Sequence, residues 1–218
     1  MMKRPVVACL AVALLSLSWG PARAGDALGQ AILDLQHRWA VANYQTPEGA
    51  KEDAFAALAE RAHAVTAAFS GRAEPLVWEG IILSTYAGVK GGLGALGLAG
   101  DAKDRFEAAA AIDPNALNGS IYTSLGILYH EVPGWPLSFG DDDKARAYLK
   151  RSLSINPTGI DPNYFYGKFL LDQDEYAAAV KALDKAAKAP DRPGRPLADR
   201  GRRAEVQAKL EEARKHLQ

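Results

Sequence analysis

The chain has 218 residues, with 26 basic and 26 acidic side chains, 48% hydrophobic residues and a single cysteine. Such a balance lacks the basic face of a nucleic-acid binder, and one thiol supports neither a disulfide framework nor a cysteine-bound metal. The length is enough for one sizeable core or a short helical array.

The N-terminus reads as an export signal. Met1-Met2-Lys3-Arg4 is a short positive region, Pro5 to Trp19 is almost wholly apolar, and Ala22-Arg23-Ala24 has the small-x-small pattern of a cleavage site. The apolar run is shorter than the roughly 20 residues a spanning helix needs, which favours cleavage over a retained anchor. Removal of residues 1–24 leaves 194 residues with 23 basic and 26 acidic side chains. Cys9 stands too close to Arg4 for a proper acylation box, so no lipid anchor is expected, and the mature chain is expected in the periplasm.

Helical patterns follow in chain order, with no sustained alternation at period two. Residues 25–73 read as an N-terminal helical pair: Ile32, Leu35, Trp39 and Ala42 mark the first helix, and Phe55, Leu58, Ala62, Val65 and Phe69 the second. Thr46 is the expected cap between them, with Pro47 at the first helical position.

From residue 74 to 190 the chain repeats itself. Ala102, Phe106, Ala109 and Pro114 have the spacing of Ala145, Leu149, Ser152 and Pro157, and Ala179, Leu183 and Ala186 repeat the first two intervals. Small, large, small at that spacing nests one helix closely on another, and the proline ends it. Gly80, Gly126 and Gly167 occupy equivalent places in the preceding helices, 46 and 41 residues apart. These residues resemble the tetratricopeptide repeat, stretched beyond its usual ~34 residues. The expected fold is therefore all-α, an α-solenoid of about three degenerate helix pairs with extra N-terminal helices. The extra length is expected in two turns, Gly88 to Gly100 and Glu131 to Asp143. Gly91–Gly97 reads as a mobile turn or as small residues for close helix contact, and Asp141-Asp142-Asp143 as a cap for the helix after it. Residues 191–218 read as a Pro-rich connection and a C-terminal helix with Val206, Leu210, Ala213 and Leu217 on one face. That helix caps the solenoid or makes an oligomer contact.

The second turn narrows the resemblance. Tyr122 to Tyr129, Val132-Pro133-Gly134-Trp135-Pro136, Phe139-Gly140-Asp141, Gly159-Ile160-Asp161-Pro162-Asn163-Tyr164 and Pro193-Gly194-Arg195-Pro196 together resemble the TatT-like tetratricopeptide component associated with TRAP transporters. The resemblance implies an accessory protein that docks an extracytoplasmic solute-binding protein, handles a small organic acid and forms homo-oligomers. A general periplasmic scaffold for protein or peptide partners is the alternative.

No catalytic constellation is present in the pattern. His37, His63, His130 and His216 lack metal-ligand spacing, no serine sits in a Gly-x-Ser-x-Gly elbow, and no Lys-Ser or Lys-Thr follows the glycine-rich segment. No enzyme, cofactor or metal is expected. In a solenoid of helix pairs the first helix of each pair lines the concave side. Counting from the three glycines places Val77, Ile81 and Ser84, then Thr123, Ile127 and His130, then Tyr164 and Lys168 on that groove. Lys168 is the expected carboxylate ligand, and Trp135 and Phe139 are expected loop contacts.

Overall fold

The computed structural model describes residues 21–218, with side chains from Asp26 onward. Among the described residues are nine α-helices and no strand: α1 (Pro21–Tyr44), α2 (Lys51–Ala68), α3 (Ala73–Lys90), α4 (Gly92–Ile112), α5 (Ser120–Glu131), α6 (Asp142–Ile155), α7 (Ile160–Asp172), α8 (Tyr176–Ala187) and α9 (Pro196–Lys215). The all-α solenoid expected from the repeats is the fold observed. The expected export segment and Cys9 lie outside the described residues, apart from Pro21–Ala24, whose backbone opens α1. No described helix is long and apolar enough to cross a membrane.

Three antiparallel pairs, α3–α4, α5–α6 and α7–α8, form the body, and one contact recurs in each. A Cβ added to Gly80 would stand 2.6 Å from the Phe106 ring, one on Gly126 2.6 Å from Leu149, and one on Gly167 2.7 Å from Leu183. The large residue of the second helix thus lies directly on the glycine backbone of the first. The flanking small residues Ala102, Ala109, Ala145, Ser152, Ala179 and Ala186 are all fully buried. This is how the spacing becomes an interface: the glycine forgoes ~1 kcal/mol of helix propensity so that a Phe or Leu can be completely enclosed.

The two stretched turns have different origins. Asp141 caps α6 by accepting a hydrogen bond from the Lys144 backbone N–H at 3.0 Å, so residues 131–141 are a true connection. The first is not a loop. Only Gly91 and Gly92 turn, with φ of 65° and 60°, and residues 92–100 belong to α4. No packing demand explains Gly97 and Gly100, because a Cβ on either would meet nothing within 4 Å. Burial of Ala99, Ala102 and Phe106 farther along holds this glycine-rich turn in the helix. Thr46 also departs from expectation. Its hydroxyl donates back to the Val41 carbonyl at 3.3 Å, and a short 3₁₀ turn, Glu48–Ala50, precedes α2.

Two apolar clusters share α3. Val77 faces the repeats, while Trp78 and Ile82 join Leu35, Trp39, Phe55 and Leu58 of the N-terminal pair. Helix α9 buries Val206, Leu210 and Ala213 against the repeats, with Leu217 left half exposed. It does more than cover the last pair. Gly201 sits so near α1 that a Cβ would be 2.5 Å from the Tyr44 ring, and Ala198 joins the N-terminal cluster. The first and last helices therefore meet and frame a chamber with α3, α5 and α7.

Candidate functional site

That chamber is a cavity of about 230 Å³. Ile81 and Ser84 reach it from α3, Thr123 and Ile127 from α5, Phe165 from α7, and Trp39 from α1. Ile81, Ser84, Thr123 and Ile127 are four of the eight groove residues expected from the sequence. The hydroxyl of Thr123 is already engaged, 2.5 Å from the Ser152 hydroxyl, so Thr123 offers the cavity mainly its methyl group.

The other four do not line it. Val77 is fully enclosed in the repeat core. Tyr164 is buried beneath Arg202, whose guanidinium carbon lies 4.5 Å from its ring centre. His130 belongs to a separate surface cluster, with ring nitrogens 2.7 Å from Asp142 and 3.1 Å from Asp172. Lys168 completes that cluster, pairing with Glu131 and, at 3.2 Å, with Asp172. Burial works against the Lys168 charge, but Glu131 and Asp172 outweigh it and hold its pKa above the usual lysine value. The expected carboxylate ligand is thus occupied. The count around α7 points Lys168 at the groove, whereas Glu131 at the end of α5 and Asp172 one turn along α7 draw it into their pairs.

The cations at the cavity come instead from α9 and the connection that leads into it from α8. Arg192 donates to Asp161 and, at 2.6 Å, to Asp199; Arg202 donates to Asp161 at 2.9 Å. Burial alone would raise the Asp161 pKa, yet Arg202 and Arg192 keep it below the usual carboxylate value. The Arg202 guanidinium is in turn held charged by Asp161 against the cost of burial. Arg195 differs from both. No carboxylate lies within salt-bridge distance of it among the described residues, and its guanidinium carbon stands 5.2 Å from the centre of the Trp78 ring. Burial and the nearby Arg192 push its pKa down to about 10, so it still carries its charge at neutral pH.

Sequence reasoning missed these arginines, Trp39 and Tyr44 as site residues. A signal existed on α9: Asp199 and Arg202 fall in the same stripe as Val206, Leu210 and Ala213, and both are buried. Charged residues on the apolar side of a helix need buried partners.

A second surface lies at the end of the α3–α4 and α5–α6 pairs. Its groove, about 550 Å³, is lined by Ala87, Leu93, Leu96, Leu128, Val132 and Leu137. Leu93 is 83% exposed, Leu137 68% and Trp135 89%. Phe139, by contrast, packs edge-on against Tyr129, with ring centres 5.3 Å apart. The two expected loop contacts therefore separate: Phe139 holds the loop, and Trp135 faces outward. The loop backbone is pinned by Gly140 N–H to the Pro133 carbonyl at 3.0 Å and Asp141 N–H to the Tyr129 carbonyl at 2.9 Å. A Cβ on Gly140 would fall 1.8 Å from the Val132 carbonyl oxygen, so only glycine fits there.

No family model matches this chain, and no curated protein matches it. Among solved structures it is similar to TTC0263, a thermophilic TPR protein of Thermus thermophilus. The TM-score is 0.52 at 18% identity, over 85% of this chain and 95% of that one. It is also similar to MamA, with a TM-score of 0.45 at 18% identity, over 79% of this chain and 95% of that one. The first likeness, together with the recurring glycine contact, makes this chain an all-α solenoid of tetratricopeptide-type helix pairs.

Proposed function

We propose that this chain is an exported binding protein that docks an extracytoplasmic solute-binding protein of a TRAP-type uptake system for small organic acids. The observation that carries the reading is the surface around Trp135. Trp135 and Leu137 stand in water on a loop whose own backbone is tightly hydrogen-bonded, and Leu93 stands exposed across the apolar groove beside them. Exposed apolar clusters of that kind mark protein contacts, and tryptophan is among the residues most enriched in their energetic centres. The segment is also part of the run that resembles the TatT-like component, which is what selects this class of partner. Export and periplasmic residence belong to the same proposal and rest on the character of residues 1–24. A general envelope scaffold draws on the same fold and the same surface, and the test separates the two.

Tagged full-length protein is crosslinked in cells of its source and the captured proteins are identified by mass spectrometry. The transport reading expects a solute-binding protein, with capture lost at least tenfold in Trp135→Ala and unchanged in a distant surface variant such as Lys215→Ala. Recovery of only unrelated envelope proteins overturns it and leaves the scaffold.

A further inference from the structure

Hydrogen-bond donors in the central cavity outnumber their partners. Among the described residues five buried side-chain polar atoms have no hydrogen-bond partner within the protein. Three of them, Tyr44 Oη, Trp78 Nε1 and Arg195 Nε, belong to residues lining this cavity, and of these the Tyr44 hydroxyl already has the Glu205 carboxylate beside it. Buried polar groups are rarely left unpaired, and two of these three are donors only. A cluster of orphan donors calls for an acceptor with several lone pairs. The charges point the same way. Arg192 and Arg202 are neutralised by Asp161 and Asp199, and Glu131, the other acid on the wall, is held by Lys168. Only the Arg195 guanidinium remains without an anionic partner among the three arginines. The remaining wall joins apolar and aromatic side chains to five serines and threonines, of which Ser84, Thr85 and Ser120 donate their hydroxyls to backbone carbonyls, and the volume is below the ~300–1,000 Å³ of pockets for drug-sized ligands.

We propose that the cavity binds a small monocarboxylate with an apolar or aromatic body. Its carboxylate engages Arg195 beside Trp78 Nε1, and its body lies against Trp39, Ile81, Ile127 and Phe165. A single charge matches a single unspent cation. A phosphate or dicarboxylate would set a second negative charge beside Asp161 and Glu131. An arginine suits this role better than the lysine expected from the sequence, because its planar fork presents two parallel N–H groups to a carboxylate and stacks on an indole. The proposal rests on the reading of the chain as a binding protein for organic-acid uptake, and it assigns that reading a ligand site that adjoins the docking groove at Ser84, Leu128 and Glu131.

The test titrates the purified full-length protein with benzoate, hexanoate and the neutral isostere benzamide. Tryptophan emission is followed, since Trp39 and Trp78 have ring centres 6.4 Å apart at the cavity. Saturable binding of at least one acid is expected, with benzamide at least tenfold weaker than benzoate. Arg195→Gln should lose at least tenfold in affinity, Arg195→Lys should retain part of it, and Lys215→Gln, on the exposed side of α9, should stay within twofold of the parent. Circular dichroism checks that the Arg195 variants fold. Ile127→Phe, which fills the cavity without touching its charges, supplies an independent block. Benzamide binding as tightly as benzoate overturns the proposal. So does retention of affinity in Arg195→Gln, or failure of both acids to bind at millimolar concentration. Failure of acid binding while a solute-binding protein is still captured sinks this assignment and leaves the docking reading standing. Acid binding without that capture does the reverse.

Discussion

The three helix-pair interfaces and the seat of α9 on α7 hold the same molecule together by opposite means. Within each pair a glycine, a large apolar residue and flanking small residues meet through shape, and every partner is within one repeat. The seat of α9 against the start of α7 relies on charges from distant parts of the chain. Asp161 of α7 bonds Arg192 and Arg202, 31 and 41 residues away, whereas α9 meets α1 through apolar contacts, Gly201 on Tyr44 and Ala198 in the N-terminal cluster. The paired ions hold Arg192 and Arg202 at the cavity wall, beside Arg195.

Four substitutions sharpen that contrast. Phe106→Ala should have the largest effect, destabilising by about 3–5 kcal/mol, because it empties the space over Gly80 in a fully buried site. For a chain of this size that lowers Tm by roughly 10 °C in a thermal melt. An effect under ~1 kcal/mol would show that the pair interface collapses onto the gap.

Asp161→Asn should cost about 2 kcal/mol at neutral pH, since two arginines lose a shared partner while each keeps another. The cost should depend on pH. Because the folded-state pKa of Asp161 is depressed, its contribution is complete above the unfolded value of about 4 and is lost as pH falls through the folded value. Melts of parent and variant should therefore converge below about pH 4. A gap that stays constant into acid would place the stabilisation elsewhere.

Gly126→Ala and Gly97→Ala test the glycines themselves. Both gain up to ~1 kcal/mol of helix propensity. At Gly126 the new Cβ would stand 2.6 Å from Leu149 and 3.1 Å from the Ala145 carbonyl oxygen, and backbone cannot yield as a side chain does. The variant should be net destabilised by about 1–2 kcal/mol. At Gly97 the space is open, so the same change should stabilise by up to ~1 kcal/mol, the smallest effect and the one of opposite sign. Equal shifts in the two melts would remove the distinction between a packed glycine and an idle one.

Much of the body was legible in the sequence. The intervals among Ala102, Phe106 and Ala109 and their counterparts predicted both which residues are buried and which glycines lie beneath them. Helical period and close packing are local in the chain, so spacing carries them. Asp141 as a cap was legible for the same reason. The glycine-rich start of α4 was misread because composition alone suggested a turn, whereas burial farther along the helix decided it.

The site was half legible. Ile81, Ser84, Thr123 and Ile127 follow from the period of α3 and α5 once the concave side is known. Nothing in the local pattern distinguished Lys168, which is paired, from Arg195, which is not. What the sequence determined alone is the helical register, the paired interfaces and the inward side of α3 and α5, all set by neighbours a few residues apart. Which cation stays unpaired at the cavity was decided only when α9 and the connection before it met α7, because the partners of a charge are chosen by proximity in space, over separations that no periodicity records.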